Sequence, residues 1–326
     1  MRHRGRLIAV VWLSLGLVAS TAWAQGGKYL TLGTSGAGGT YGIIGAAMAK
    51  VVSKHAGDLR MTVEATPGGG LGNVRLLGRE RLDFGIATVD NAFAAFQGTG
   101  PFEKEQRKNI RVVLFGTHLP FHLVVPADSP IRSAADLKGK TLVTNSAANA
   151  AIYVPQTLEV YGLKKDTDYK LVNVSTTEAI ESFKDGRVHG FASYVFYPVA
   201  ALLDLTTTRS VRFIGLEAEK RKELLAKHQY YGSGKIPAKT YPGQDAEVVS
   251  STISGVLLTH DKVPADAVYR VTKAILEHPR ELREVYAAAA TFSTERQAAR
   301  LDEGAVVIPP WHAGAERYLR ERGLLK

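Results

Sequence analysis

The chain reads as an α/β protein of two lobes joined by hinge strands. Three observations predict this. Short apolar strand patterns alternate with helical ones in β-α-β order, which calls for parallel strands with helical crossovers. That series occurs twice. Two extended runs flank the second occurrence: one opens Phe121–Lys140 ahead of a turn and a short helix closed by Gly139, and the other is Val249–Thr259.

The first residues lie outside this pattern. Arg2, Arg4 and Arg6 precede an apolar run over Leu7–Val18, and Ala22-Trp23-Ala24 follows with small residues where a signal peptidase inspects. This is the layout of a secretory leader cleaved after Ala24. The run is shorter than the ~20 residues that span a bilayer, which argues against an anchor. Cleavage removes 24 of 326 residues, leaves 302, and takes the formal charge of +10 to +7. A chain of that length suits two lobes. Cysteine is absent, which excludes thiol catalysis, cysteine zinc sites and a lipid-modified cysteine. Basic residues are scattered, so the surface is solvated with a bias toward anionic partners and no nucleic-acid stripe.

Tyr29–Leu32 reads as the first strand. The loop LGTSGAGGTYGIIG (Leu32–Gly45) leads into a helix whose Ile43, Ile44, Ala47, Met48, Val51 and Val52 recur at helical spacing. Arg60–Glu64 is the second strand. ATPGGGLG (Ala65–Gly72) and a short helix, Asn73–Leu77, follow it. Phe84–Ala87 is the third strand, and Asp90 is a plausible N-cap for a helix over Asn91–Gln97. The second copy starts at Thr141-Leu142 with the loop TNSAANA (Thr144–Ala150) and a helix to Tyr161. FKDGRVHGFA (Phe183–Ala192) then matches LLGRERLDFGIA (Leu76–Ala87), and the spacing from Thr31 to Gly85 (54) resembles that from Thr141 to Gly190 (49). The tail is helical over Ala267–Glu277, Glu281–Ala290 and Gly314–Arg322, and returns to the first lobe. The predicted division is 1–24 leader, 25–121 first lobe, 122–250 second lobe and 251–326 first lobe again.

The glycine loop fails three catalytic templates. A P-loop needs Lys and Ser/Thr after its last Gly, where this chain has Thr40-Tyr41. A dinucleotide fingerprint needs Gly at Tyr41, and a nucleophile elbow needs Gly at Ala37. What remains is a helix N-terminus with free amides, hydroxyls from Thr34, Ser35 and Thr40, and room for close approach. Such a cradle suits a carboxylate. Open α/β sheets bind at the carboxyl ends of their strands. Asp90 and Asn91 follow a strand end and either reach a ligand or cap a helix. Tyr194 and Tyr197 follow another, and either contact a ligand or pack. His118 and His122 are separated by Pro120 in extended context, which favours a hydrogen bond or a packed core histidine over a zinc pair. Asp83 and Asp185 sit in turns before strands and read as solvated, and Trp311 and His312 as structural. No nucleophile–base–orienter set stands out.

The motifs GTSGAGGTY (Gly33–Tyr41), EATPGGGLGNVRLL (Glu64–Leu77), TGPF (Thr99–Phe102), HLVVPADSPIRSAADLKGK (His122–Lys140), YPGQD (Tyr241–Asp245) and HAGAERYLRERG (His312–Gly323) run in order along the chain. On these residues the sequence resembles the solute-binding receptors of TAXI-type TRAP transporters. The resemblance implies a type II periplasmic binding (Venus flytrap) fold. It also implies a non-enzymatic, monomeric periplasmic receptor without cofactor or metal, which passes a small anionic or zwitterionic solute to TRAP membrane permease subunits. Glutamate-like and 2-oxoglutarate-like ligands are implied. Thr34, Ser35, Gly38, Gly39, Thr40 and Tyr41 fall on the family's first ligand loop, and Thr66, Gly68, Gly69 and Asn73 on its second. The family's GxPGSGT loop is TNSAANA here, so Asn145, Ser146 and Asn149 stand in for glycine amides. Its Gly-Tyr-Pro is Phe196-Tyr197-Pro198. A binding protein for an ABC importer or a sensor kinase, or an exported enzyme on the same fold, are the alternatives.

Overall fold

The computed structural model describes residues 28–36, 40–145, 150–302 and 309–325. The first half opens with β1 (Lys28–Thr34), α1 (Thr40–His55), β2 (Leu59–Ala65), α2 (Gly69–Gly78), β3 (Phe84–Thr88) and α3 (Val89–Gln97). β1 lies between β2 and β3 and is parallel to both. Phe84, Gly85, Ile86 and Ala87 of β3 are all buried, because helices cover both faces of the sheet. On α1, Ile44, Ala47, Met48, Val51 and Val52 form the inward stripe. Two boundaries differ from the sequence reading. α2 begins at Gly69, not Asn73, because Gly68 (φ 80°) makes the left-handed turn and the following glycines wind into the helix. α3 begins at Val89 with Thr88 as its N-cap, so Asp90 lies inside the first turn and is not the cap.

β4 (Ile110–Pro126) is 17 residues long and belongs to both halves. The second half follows as β5 (Thr141–Asn145), α4 (Ala150–Glu159), β6 (Lys170–Val174), α5 (Thr176–Lys184), β7 (Gly190–Tyr194), α6 (Ala200–Thr208), β8 (Val211–Phe213), α7 (Ala218–Lys227) and β9 (Tyr231–Ile236). β10 (Val248–His260) then runs back antiparallel to β4. The sheet order is β2-β1-β3-β10-β4-β7-β5-β6. Residues 110–120 of β4 pair with β10, whereas residues 121–126 pair with β7 and β8. Val249–Thr259 is therefore one strand that passes between the halves; of Phe121–Lys140 only Phe121–Pro126 is strand, the end of β4, and the rest is the turn and the short helix, here a 3-10 helix at Ala134–Leu137.

The internal repeat is visible at one joint. In the first half, the Thr31 amide donates to Asp83 Oδ2 (2.8 Å) just before β3. In the second, the Thr141 amide donates to His189 Nδ1 (3.1 Å) just before β7. Leu32 pairs with Phe84, and Leu142 with Gly190. The equivalent of Gly190 is thus Phe84, one residue from the sequence match at Gly85. Asp83 is not a solvated turn residue, because it stitches β1 to β3.

The tail forms α8 (Ala265–Glu277), α9 (Pro279–Val285), α10 (Thr294–Asp302) and α11 (Ala313–Glu321). The helix expected over Glu281–Ala290 is interrupted at Tyr286, whose extended backbone separates α9 from a 3-10 turn at Ala287–Thr291. Val268, Val271, Ile275 and Leu319 join Leu30, Leu32, Ile44 and Val51 in one core. His312 caps α11 by accepting from the Gly314 amide (3.1 Å), and Trp311 bridges to Val112. Among the described residues, no helix is long and apolar enough to cross a membrane.

Candidate ligand-binding cleft

The strand ends of the first half carry the predicted loops. Ser35 Oγ accepts from the Gly42 amide (3.1 Å) and so occupies one of the free donors at the start of α1. Thr40 and Tyr41 open that helix, whereas Gly38 and Gly39 lie outside the described residues. At the start of α2, Gly68 and Gly69 both have positive φ (80° and 53°). Among the described residues, a methyl added at Gly69 would meet no atom within 4 Å, and the same holds at Gly36. One at Gly70 would lie 3.1 Å from the Ala87 Cα.

Several predicted side chains bond inside the protein. The buried Thr66 donates to the Thr34 carbonyl (2.9 Å) and lies against Asn73 Oδ1, while Asn73 Nδ2 donates to the Ile86 carbonyl (2.7 Å). These bonds tie β1, β2 and β3 together at their carboxyl ends. Thr34 Oγ1 donates to the Ser35 carbonyl (2.9 Å), and Asn91 Nδ2 to Thr88 Oγ1 (2.8 Å). They fix the loop backbones on which any ligand contact depends.

Asp90 links the halves. Its carboxylate accepts from Thr88 and from Tyr153 of α4, and among the described residues its buried Oδ1 has no hydrogen-bond partner. Burial pushes its acidity above the ordinary carboxylate value, more strongly than these bonds lower it. Tyr41 lies close enough for the Asp90 charge to act on it. Burial, countered by a 3.5 Å contact with Thr117 and reinforced by Asp90, pushes its hydroxyl up to about 12. Beyond Tyr153 lies a cluster of phenols. Tyr153, Tyr194 and Tyr231 pack with ring centroids 5.5–6.2 Å apart. The Tyr194 hydroxyl sits 2.6 Å from both Thr157 Oγ1 and Ser251 Oγ, so Tyr194 is a buried strut between α4 and β10.

In the second half, Asn145 Oδ1 accepts from Ser193 Oγ (3.1 Å). Ser146 and Asn149 lie outside the described residues. Tyr197 is half-buried, and a chain of bonds anchors the segment after it. The Val199 amide donates to Tyr241 Oη (3.0 Å), which lies 3.0 Å from His122 Nε2. His122 Nδ1 lies 2.9 Å from the Pro120 carbonyl. A carbonyl only accepts, so Nδ1 carries the ring proton and Nε2 takes the one from Tyr241. Burial holds this neutral imidazole at about 4. His122 is therefore the hydrogen-bonded core histidine of the two expected possibilities. Tyr241, from the YPGQD motif, is its partner.

A profile described as the NMT1-like family matches residues 32–323. The chain belongs to the NMT1-like family. Solved structures agree on the fold. A TctC solute-binding protein from Polaromonas matches with TM-score 0.54 and 17% identity, over 81% of this chain and 88% of that one. XAC2383 from Xanthomonas citri, solved bound to ATP, matches with TM-score 0.52 and 14% identity, over 92% and 100%. This NMT1-like chain thus has the mixed α/β fold of periplasmic solute-binding proteins. Its strand ends bring Ser35, Tyr41, Gly69, Asp90 and Asn91 to one side of the first half, and Asp90 meets the second half at Tyr153. The sequence reading missed Tyr153. Its signal is one aromatic three positions into a helix that follows a small-residue loop, which is too common a pattern to single out.

Proposed function

We propose that the chain is the extracytoplasmic solute-binding receptor of a TAXI-type TRAP transporter. It takes a small carboxylate or amino acid, glutamate-like or 2-oxoglutarate-like, and hands it to the membrane permease. The observation that carries this is the approach to the α2 N-terminus. Gly68 and Gly69 hold left-handed backbone there, and a side chain at Gly69 would enter open space beside the end of β3. Backbone amides at a helix start favour an anion, and the Asp90 carboxylate in the first turn of α3 offers an acceptor for an ammonium group. The lobes of this reading are 25–121 with 251–326, and 122–250. Closure of one on the other draws its free energy from tighter binding in the closed state. The leader would leave a mature protein that begins at Gln25, which N-terminal sequencing of the exported protein checks.

A thermal-shift screen of amino acids, dicarboxylates and 2-oxoacids tests the solute class, because a tight ligand raises the melting temperature by mass action. Calorimetry on Gly36→Val and Gly69→Val tests the site. Gly36 lies outside the left-handed backbone region and an added methyl meets no described atom within 4 Å, so its valine variant keeps the wild-type melting temperature while losing affinity. Wild-type affinity in both variants would refute the assignment to these loops.

A further inference from the structure

A cavity of about 530 Å³ lies in the second half, against β8. Val211, Arg212 and Phe213 of β8 form one wall, and residues 243–249, which lead into β10, form the other. The walls meet where the Leu216 amide donates to the Val249 carbonyl (2.9 Å). Gly215 permits that meeting, since an added methyl would lie 2.7 Å from the same carbonyl oxygen. Toward Val211 the two segments diverge, and the cavity fills the wedge.

The hydrogen bonds of β8 show which way its edges face. The Ala127 amide donates to the Ser210 carbonyl (3.1 Å) and the Ile214 amide to the Leu123 carbonyl (2.8 Å), with Arg212 opposite Val125 between them. Bonding alternates along an antiparallel pair. Positions 210, 212 and 214 therefore bond to β4, and the amides and carbonyls of Val211 and Phe213 point away from it. Among the described residues, β4 is the one strand that pairs with β8. The outer edge of β8 is thus an unpaired strand edge at the cavity wall, the arrangement to which an extended chain adds as a further strand.

The cavity is acidic, although the whole chain carries a formal charge of +10. Glu217, Asp245 and Glu247 line it, against Arg212 as the cation. The Arg212 guanidinium is spent on backbone: Nη1 donates to the Ser129 (3.2 Å) and Ile131 (3.0 Å) carbonyls, and Nη2 to that of Ala127. Asp245 and Glu247 are exposed. Glu247 pairs with Lys235 at 2.8 Å, and exposed pairs of this kind contribute little and exchange readily.

We propose that this edge docks an extended polypeptide segment bearing lysine or arginine, which adds to β8 as a strand and sets its cations against Asp245, Glu247 and Glu217. The proposal does not rest on the receptor reading. Calorimetry on the full chain tests it with a capped KVKVK peptide, its acidic counterpart EVEVE, KVKVK methylated at its backbone nitrogens, and free L-lysine. KVKVK binds the wild type and EVEVE does not. Val211→Pro removes an outward N–H and leaves the bonds to β4 in place, so it weakens KVKVK binding by about tenfold, as backbone methylation of the peptide does. Asp245→Asn weakens it roughly two- to fivefold, the scale of an exposed ion pair. Absence of KVKVK binding, equal affinity for EVEVE, or undiminished affinity of the methylated peptide would each overturn the proposal. So would full affinity in a Val211→Pro variant that keeps the wild-type melting temperature. L-lysine binding as tightly as KVKVK would mark a small-solute pocket and overturn it too.

Discussion

Replacing His122 by glutamine tests how the second half anchors the Tyr197 segment. The imidazole is fully buried, neutral, and fixed between the Pro120 carbonyl and Tyr241, which in turn holds the Val199 amide. Burial lowers its proton affinity from 6.5 to about 4. The unfolded chain takes up a proton near 6.5 while the folded chain does not until about 4. Stability from this group is therefore complete above 6.5 and is lost as pH falls toward 4. At pH ~4.5 the loss works out to about 2.5 kcal/mol, with one pH unit worth ~1.4 kcal/mol over most of the window. Glutamine keeps an acceptor for the Tyr241 hydroxyl and does not titrate. Urea unfolding at pH ~7.5 and ~4.5 should show the wild type losing about 2.5 kcal/mol more than His122→Gln. Comparison with the variant cancels the other histidines. Equal losses in the two proteins would refute a buried, neutral His122.

Asp90 gives the opposite sign. Its folded-state acidity is weakened by burial, so its contribution is intact below 3.8 and is lost as pH rises through the raised folded value. Asp90→Asn removes that loss. Unfolding curves of the two proteins should diverge toward neutral pH and converge in acid, and a pH-independent difference would show that Asp90 ionises freely. Gly255→Ala tests the packing of the crossing strands. Its methyl would come within 1.9 Å of Thr117 Oγ1 and 3.0 Å of the Tyr41 hydroxyl. Chemical denaturation should show a cost of about 1–3 kcal/mol, as for other overpacked sites, with much of it recovered in the Gly255→Ala/Thr117→Ala double variant. An unchanged midpoint for Gly255→Ala would mean that the strands lie farther apart there.

The β-α-β series was legible because apolar spacing switches cleanly between strand and helix periods, as in α1 and β3. Of the crossing strands, β10 showed as one apolar run, whereas β4 was read only from Phe121 on and begins at Ile110. β8 and β9 left no comparable trace. The first is three half-buried residues, and the second, Tyr231–Ile236, contains two glycines in six positions. At the cleft, sequence cannot separate a hydroxyl aimed at a solute from one that stitches strands. Thr66 and Tyr194 are small-polar and aromatic residues at strand ends, yet both spend their hydroxyls on neighbouring elements. One pocket was hidden for another reason. His118, Tyr197, Lys235 and Arg296 come from four separate segments, and only the return of the tail brings the last beside the others.

That return sets an order on folding. Residues 121–250 are contiguous and hold one core of their own around Phe183, Phe191 and Leu202. α1 waits for partners more than 200 positions away, since it packs against α8 and α9 and shares one core with them and with α11. A chain emerging from its N-terminus can complete the later-made unit first. The earlier-made one keeps part of its core uncovered until the last helix arrives. Loss of the final dozen residues would therefore cripple the part of the molecule synthesised at the start.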